Sequence, residues 1–270
     1  MSAGWDQGFK FDRAALSTVN RAIASDPGRS SAERRDQLPY GKNKVDAYLS
    51  YLDRLGLFNR ASGSPTPLGT IIAECDPGWR DAGTWALLQI QIASAPEATV
   101  WHEMTHGVLP HAPAFSADEA IEALLARTAV QAGSLATAQN DFRSYIAALT
   151  DDDALGGLRL FSALSLSGGV RYRRVSPAHV PPLVLAYALY DYRARTAPGV
   201  RSMSLDTIVG PGGPGRALHL QTDRDGFADR VRPLRAPGIL GYTQTAGLND
   251  VEFLQPDADP LDFVRAYYDE

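Results

Sequence analysis

His102-Glu103-Met104-Thr105-His106 has the H-E-x-x-H form, in which two histidines one helical turn apart hold zinc and the glutamate between them acts as general base. A zinc-protease helix runs on past its second histidine, whereas here Gly107 follows at once and Pro110 closes the segment. His111 comes five residues after His106, one short of the spacing of extended zinc motifs. On a helical wheel Val100, Trp101, Met104 and Val108 share one arc and both histidines fall opposite it. The segment is therefore expected to be an exposed amphipathic helix, with the histidines facing solvent and no zinc. A second cluster, Asp223, Asp225 and Asp229 in "DRDGFADR", offers hard carboxylate oxygens that suit Mg2+ or Mn2+. Its plainer reading is a charged loop and helix start.

Phosphate-binding chemistry has two candidate locations. In "PYGKNK", Tyr40, Lys42, Asn43 and Lys44 combine two cations, an amide and the start of a helix. The chain has only three lysines, Lys10, Lys42 and Lys44, against twenty-three arginines, so this pair stands out. Arg34 and Arg35 lie just upstream. In "VRYRRV", Arg171, Arg173 and Arg174 would project from a strand, with Tyr172 available to stack. The alternatives are a tight glycine turn with solvated lysines for the first, and a solvated edge strand protected by charge for the second. From Arg171 to Arg235 eleven arginines face five aspartates. The overall net charge of -5 argues against indiscriminate coating of nucleic acid but allows a local basic face. "GPGGPGR" lacks the lysine and hydroxyl of a P-loop and is expected to be a flexible connection.

These residues need elements to hold them. "AALSTVNRAIASD", "SSAERRDQL" and "NKVDAYLSYLDRLGLF" have helical periodicity, and "NRASGSPTPLGTII" has the turn residues of a hairpin. Helix, helix, turn, helix, hairpin is the order of a winged helix, with the third helix presented toward a groove. Asp46 and Asp53 on that helix would repel phosphates, so direct base reading by it is not expected. Two further helices, a hairpin around "SGG" and the apolar helix "PPLVLAYALYDYRAR" follow. The expected fold is α+β, mostly α-helical, with winged-helix-like units and short β-hairpin wings. Residues 1–112 would form a DNA-facing domain and residues 113–270 a second helical and wing domain.

The composition, 44% hydrophobic and 21% charged, is that of an ordinary globular protein. The start "MSAGWDQGFKFDRAAL" has no apolar signal region, and no run is long enough to span a bilayer, so a cytoplasmic location without membrane association is expected. Cys75 is the only cysteine, which rules out an internal disulfide and suggests a buried, inert thiol.

The ordered series "PYGKNKVDAYLSYLDRLGLF", "SPTPLGTII", "CDPGWRDAGTWALLQIQI" and "ATVWHEM", followed by "GGPGRALHL" and "DPLDFVRAYYDE", covers most of the chain. It resembles a bacterial domain-of-unknown-function family that includes SspB, the DNA-nicking component of single-stranded DNA phosphorothioation systems. The resemblance implies DNA as substrate and a phage-defence setting. It also implies a cysteine desulfurase, an ATPase and an ATP-pyrophosphatase-like enzyme as companions. It carries no catalytic residue onto this sequence. The function expected is a DNA-binding nickase dependent on Mg2+ or Mn2+, with a non-catalytic DNA adaptor that recruits the sulfur-transfer enzymes as the alternative.

Overall fold

The computed structural model describes residues 8–29, 33, 36–112, 114–128, 135–167, 169–175, 179–218, 224–245 and 248–270. Arg34, Arg35 and Asp223 lie outside the described residues, as does the side chain of Asp225. The chain divides into two compact units, Met1–Val175 and Ser176–Glu270. This division differs from the one expected after residue 112. The strand Ala114–Ser116 pairs with Gly169–Arg174, which ties the residues after 112 to the first unit.

In the first unit α1 (Arg13–Ser25) begins at Asp12, whose carboxylate accepts from Ala15 N at 3.0 Å. Leu16, Val19 and Ile23 recur at helical spacing and are buried. Residues 33, 36 and 37 are helical, α2 spans Lys42–Arg54, and strands β1 (Phe58–Asn59) and β2 (Ser64–Pro65) form a hairpin. That order matches the sequence, but α2 offers no free face to a groove. Val45 and every residue from Ala47 to Leu52 are buried. Tyr51 is covered from before α1: its hydroxyl donates to Phe9 O at 3.0 Å and its ring meets Phe11 at 5.7 Å. The presentation toward a groove expected of this helix is therefore not what its burial shows.

Helix α3 (Pro67–Cys75) starts with Thr66 as cap and proline in its first turn. Asn20 of α1 donates to Gly69 O at 3.1 Å. Only glycine fits at position 69, because a Cβ there would lie 2.1 Å from Leu57 O. Cys75 ends the helix and is exposed, not buried as the sequence suggested, because it stands past the last packed turn. After α4 (Ala82–Ser94), an aromatic chain holds the unit together. Phe11 meets Trp79 and Trp101, Trp101 meets Tyr145 edge-on at 5.2 Å, and Tyr145 meets Phe161 at 6.2 Å. Such pairs contribute about 0.5–1.5 kcal/mol each beyond their buried area.

Helices α5 (Thr99–Glu103), α6 (Ala117–Arg127) and α7 (Leu135–Thr150) complete the first unit with strands β3 (Ala114–Ser116), β4 (Phe161–Leu166) and β5 (Gly169–Arg174). The antiparallel order is β3-β5-β4, so the arginine-bearing strand is central and not an edge. In the second unit α8 (Pro182–Thr196) is buried along both faces, and Tyr190 donates to Ile239 O at 2.7 Å while accepting from Gln255 N at 3.1 Å. Around it lie β6 (Ser202–Ser204), α9 (Leu205–Ile208), α10 (Pro214–Ala217), α11 (Arg224–Val231), β7 (Leu240–Thr245), β8 (Leu248–Phe253) and α12 (Pro260–Asp269). The sheet order is β6-β8-β7. "GPGGPGR" is a packed turn instead of a flexible connection. Gly213, Pro214 and Gly215 are buried, and a Cβ on Gly213 would stand 2.1 Å from Ile208 O. The fold is α+β and mostly helical, with small antiparallel sheets. Among the described residues no helix is long and apolar enough to cross a membrane.

Candidate nucleic-acid interface

The first turn of α2 and Tyr40 before it make more contacts than a solvated turn would. Lys44 Nζ stands 3.9 Å from Asp12 Oδ2, 4.9 Å from the Tyr40 ring and 5.4 Å from the Tyr48 ring. Tyr40 and Tyr48 meet edge-on at 5.7 Å. The Tyr48 hydroxyl donates to the same Asp12 oxygen at 3.3 Å, and burial, then the Asp12 charge, pushes the phenol pKa up so that it keeps its proton. Lys42 and Asn43 are exposed on a cavity of about 460 Å³ that Phe9, Gly41 and Lys44 also line. The sequence grouped the two lysines, but the fold gives them different surroundings.

On β5 the three arginines also separate. Arg171 grips Glu119 with both guanidinium nitrogens, at 3.1 and 3.0 Å, and reaches Ala114 O at 3.4 Å. Glu119 also closes the capping box of α6 by accepting from Ser116 N at 2.8 Å. That backbone bond first, and Arg171 second, lower its pKa. Arg171 is thus a structural tie between the sheet and α6. Arg173, in register with Ala114 and Ser162, is exposed. Arg174, opposite Phe161, is half-buried, and burial lowers its pKa. Tyr172 packs on Phe115 at 5.8 Å, so its ring serves the core.

The aspartate cluster is only partly described. Positions 225 and 229 stand one turn apart on α11. The Asp229 carboxylate is exposed and paired with Arg232 at 2.7 Å. Among the described residues no three acidic, histidine or cysteine side chains gather around a common point for a metal. A magnesium ion, however, commonly takes one or two carboxylates and keeps several waters.

"HEMTH" departs from its expected shape. After Glu103 the chain widens into a π turn, Met104–Val108, and then tightens into a 3₁₀ turn, Leu109–His111. The extra residue in the π turn defeats a wheel drawn at 100° per residue. His106 is buried, not solvent-facing, and the rings of His102 and His106 are 4.8 Å apart. His102 Nδ1 and His106 Nε2 lie 3.0 and 3.1 Å from Ala93 O, where each donates a proton to one carbonyl. Glu103 faces Arg127 at 3.5 Å, and a Cβ on Gly107 would clash with that arginine at 2.3 Å. The histidine bonds fasten the segment to the end of α4, and the Glu103–Arg127 contact links it to α6.

A further basic feature is not evident from the sequence alone. A cavity of about 560 Å³ lies between α1 and the loop after α3, bordered by Arg13, Ser17, Thr18 and Arg21 on one side and Gly78 and Arg80 on the other. The signal was available in "RAALSTVNR", where Arg13, Ser17 and Arg21 recur every four residues along one helix face. Arg80 could not be joined to them from the sequence, because its position depends on the loop. Asp76 builds that loop by accepting from Arg80 N at 3.0 Å, Asp81 N at 2.9 Å and the Thr84 hydroxyl at 2.7 Å. Trp79 is held within it at a φ of 51°, fully buried, and accepts a bond from the Trp85 indole.

The fold has close structural counterparts. The crystal structure of magnesium ion-bound SspB superimposes with a TM-score of 0.81 at 20% identity, covering 99% of this chain and 88% of that one. A second SspB crystal structure gives 0.78 at 20% identity with the same coverage. At that identity the likeness establishes the shared fold. No curated protein sequence matches the chain. The sequence pattern of the family described as protein of unknown function (DUF4007) matches residues 16–268, nearly the whole length, and the chain belongs to that family.

Proposed function

We propose that this protein is a DNA-binding nickase that introduces single-strand breaks for phosphorothioate modification in a bacterial defence system, using Mg2+ or Mn2+ and no zinc. The observation that carries this reading is the likeness of the fold, over 99% of the chain, to a magnesium ion-bound SspB. DNA is the substrate. A cysteine desulfurase, an ATPase and an ATP-pyrophosphatase-like protein are the companions of the same system, in the cytoplasm.

In this reading the exposed Lys42, Asn43 and Arg173, with half-buried Arg174, contact backbone phosphates; Arg34 and Arg35, outside the described residues, are further candidates from the sequence. Asp223, Asp225 and Asp229 are the candidate carboxylates for the ion, in the arginine-rich part of the sequence. A bound divalent ion would supply positive charge at the scissile phosphate and ease deprotonation of a water. Asp229 would have to exchange its Arg232 partner to take part, which an exposed pair does at little cost.

The test is nicking of supercoiled plasmid by single Asp223→Ala, Asp225→Ala and Asp229→Ala variants with unchanged circular dichroism and DNA affinity. Loss of nicking in at least one assigns the carboxylate role. Wild-type rates in all three remove these residues from the site. Metal analysis of protein purified without added metal should find no stoichiometric zinc, and equimolar zinc would reopen the "HEMTH" question.

A further inference from the structure

The groove between α1 and the loop 76–81 has no lining residue from the start of α2 or from β5. Three guanidinium groups border it. Arg13 and Arg21 are two helical turns apart, about 12 Å along the axis, and Arg80 faces them from the loop. Arg13 is held in place: it lies 5.3 Å from the Trp85 ring, donates to Asp152 O at 3.3 Å and stands 4.0 Å from Asp153. Arg21 and Arg80 are exposed and have no ion-pair partner among the described residues. The carboxylate lining the groove, Asp76, is buried and already accepts three bonds from its own loop. The Ser17 and Thr18 hydroxyls donate back to Ala14 O, at 3.0 and 2.8 Å. The cations are therefore the groups left to recognise a ligand, and guanidinium forks match phosphate oxygens.

We propose that this groove is a phosphoryl-oxyanion site that takes backbone phosphates of the DNA strand. The identity of the phosphate's source rests on the nickase reading above; the site itself rests on the groove. Free phosphate has the same chemistry, so the experiment separates the two sources. Wild type, Arg21→Gln/Arg80→Gln and Arg21→Lys/Arg80→Lys are compared, with thermal melting as a check on folding. Labelled duplex is titrated at several salt concentrations, and inorganic phosphate is followed by phosphorus NMR line broadening.

For the glutamine pair we expect weaker DNA binding, a salt slope smaller by roughly 1.8 for two lost duplex contacts, and loss of phosphate broadening. The lysine pair should recover the slope. A glutamine pair that keeps the wild-type slope overturns the DNA assignment, even if phosphate binding is lost. If the wild type binds no DNA, the nickase reading fails on its own and the oxyanion site is judged by phosphate alone. Broadening lost in the glutamine pair then supports the site, and equal broadening in both proteins overturns it.

Discussion

Replacing Lys42 and Lys44 by alanine one at a time separates two roles that the sequence assigns to them together. Lys44 lies over two tyrosine rings at 4.9 and 5.4 Å and 3.9 Å from Asp12. A partly exposed cation–π contact contributes about 0.5–1 kcal/mol, and a long, exposed ion pair about 0.2–1 kcal/mol. Shared geometry makes these overlap, so Lys44→Ala should cost about 1 kcal/mol and lower the melting temperature by roughly 2–4 °C. Lys42 is exposed without such contacts, so its alanine variant should stay within about 0.5 kcal/mol of wild type. Binding should show the reverse order. Lys42→Ala should reduce the salt slope for duplex binding by about 0.9, and Lys44→Ala by less, because Asp12 already shares its charge. Calorimetric melting and anisotropy titrations over a salt series read both effects. If the two variants match in melting temperature and in slope, the separation of roles is wrong.

Two further outcomes follow from the packing. Gly69→Ala should destabilise the first unit by about 3 kcal/mol, the upper end for overpacking, since the obstructing atom at 2.1 Å is the Leu57 carbonyl oxygen and not a movable side chain; a wild-type denaturation midpoint would contradict this. Glu119 has its pKa lowered by the Ser116 amide and then by Arg171, so its contribution to stability is fully present above the ordinary glutamate range and fades as pH falls through the lowered value. The melting temperatures of wild type and Glu119→Gln should therefore converge at acidic pH, and a constant gap across that range would refute the link.

The elements that the sequence revealed are those whose periodicity is local. Leu16, Val19 and Ile23, and Val45, Leu49 and Leu52, recur at helical spacing and do pack inward. What escaped depends on contacts between distant residues. Burial of Tyr51 requires Phe9 and Phe11 to cross α2, and the central place of β5 requires β3 to arrive from fifty-odd residues upstream. The π turn at Met104–Val108 changes the residues per turn, so a wheel of fixed period placed His106 on the wrong side. The candidate site divides in the same way. Lys42, Lys44 and the β5 arginines were visible as clusters, whereas the ion pairs that occupy Lys44 and Arg171 were not. The Arg13–Arg21 face was legible in spacing, but its opposite wall needs Asp76 to fold the loop carrying Arg80.

Metal-dependent nicking of DNA is read by incubating purified protein with supercoiled plasmid in Mg2+, in Mn2+ and in excess chelator. Open-circular product is expected with either ion, and intact supercoils in chelator. Plasmid that stays supercoiled in every condition while the protein binds it would contradict the nickase and leave the DNA adaptor, and nicking that persists in chelator would contradict the metal mechanism.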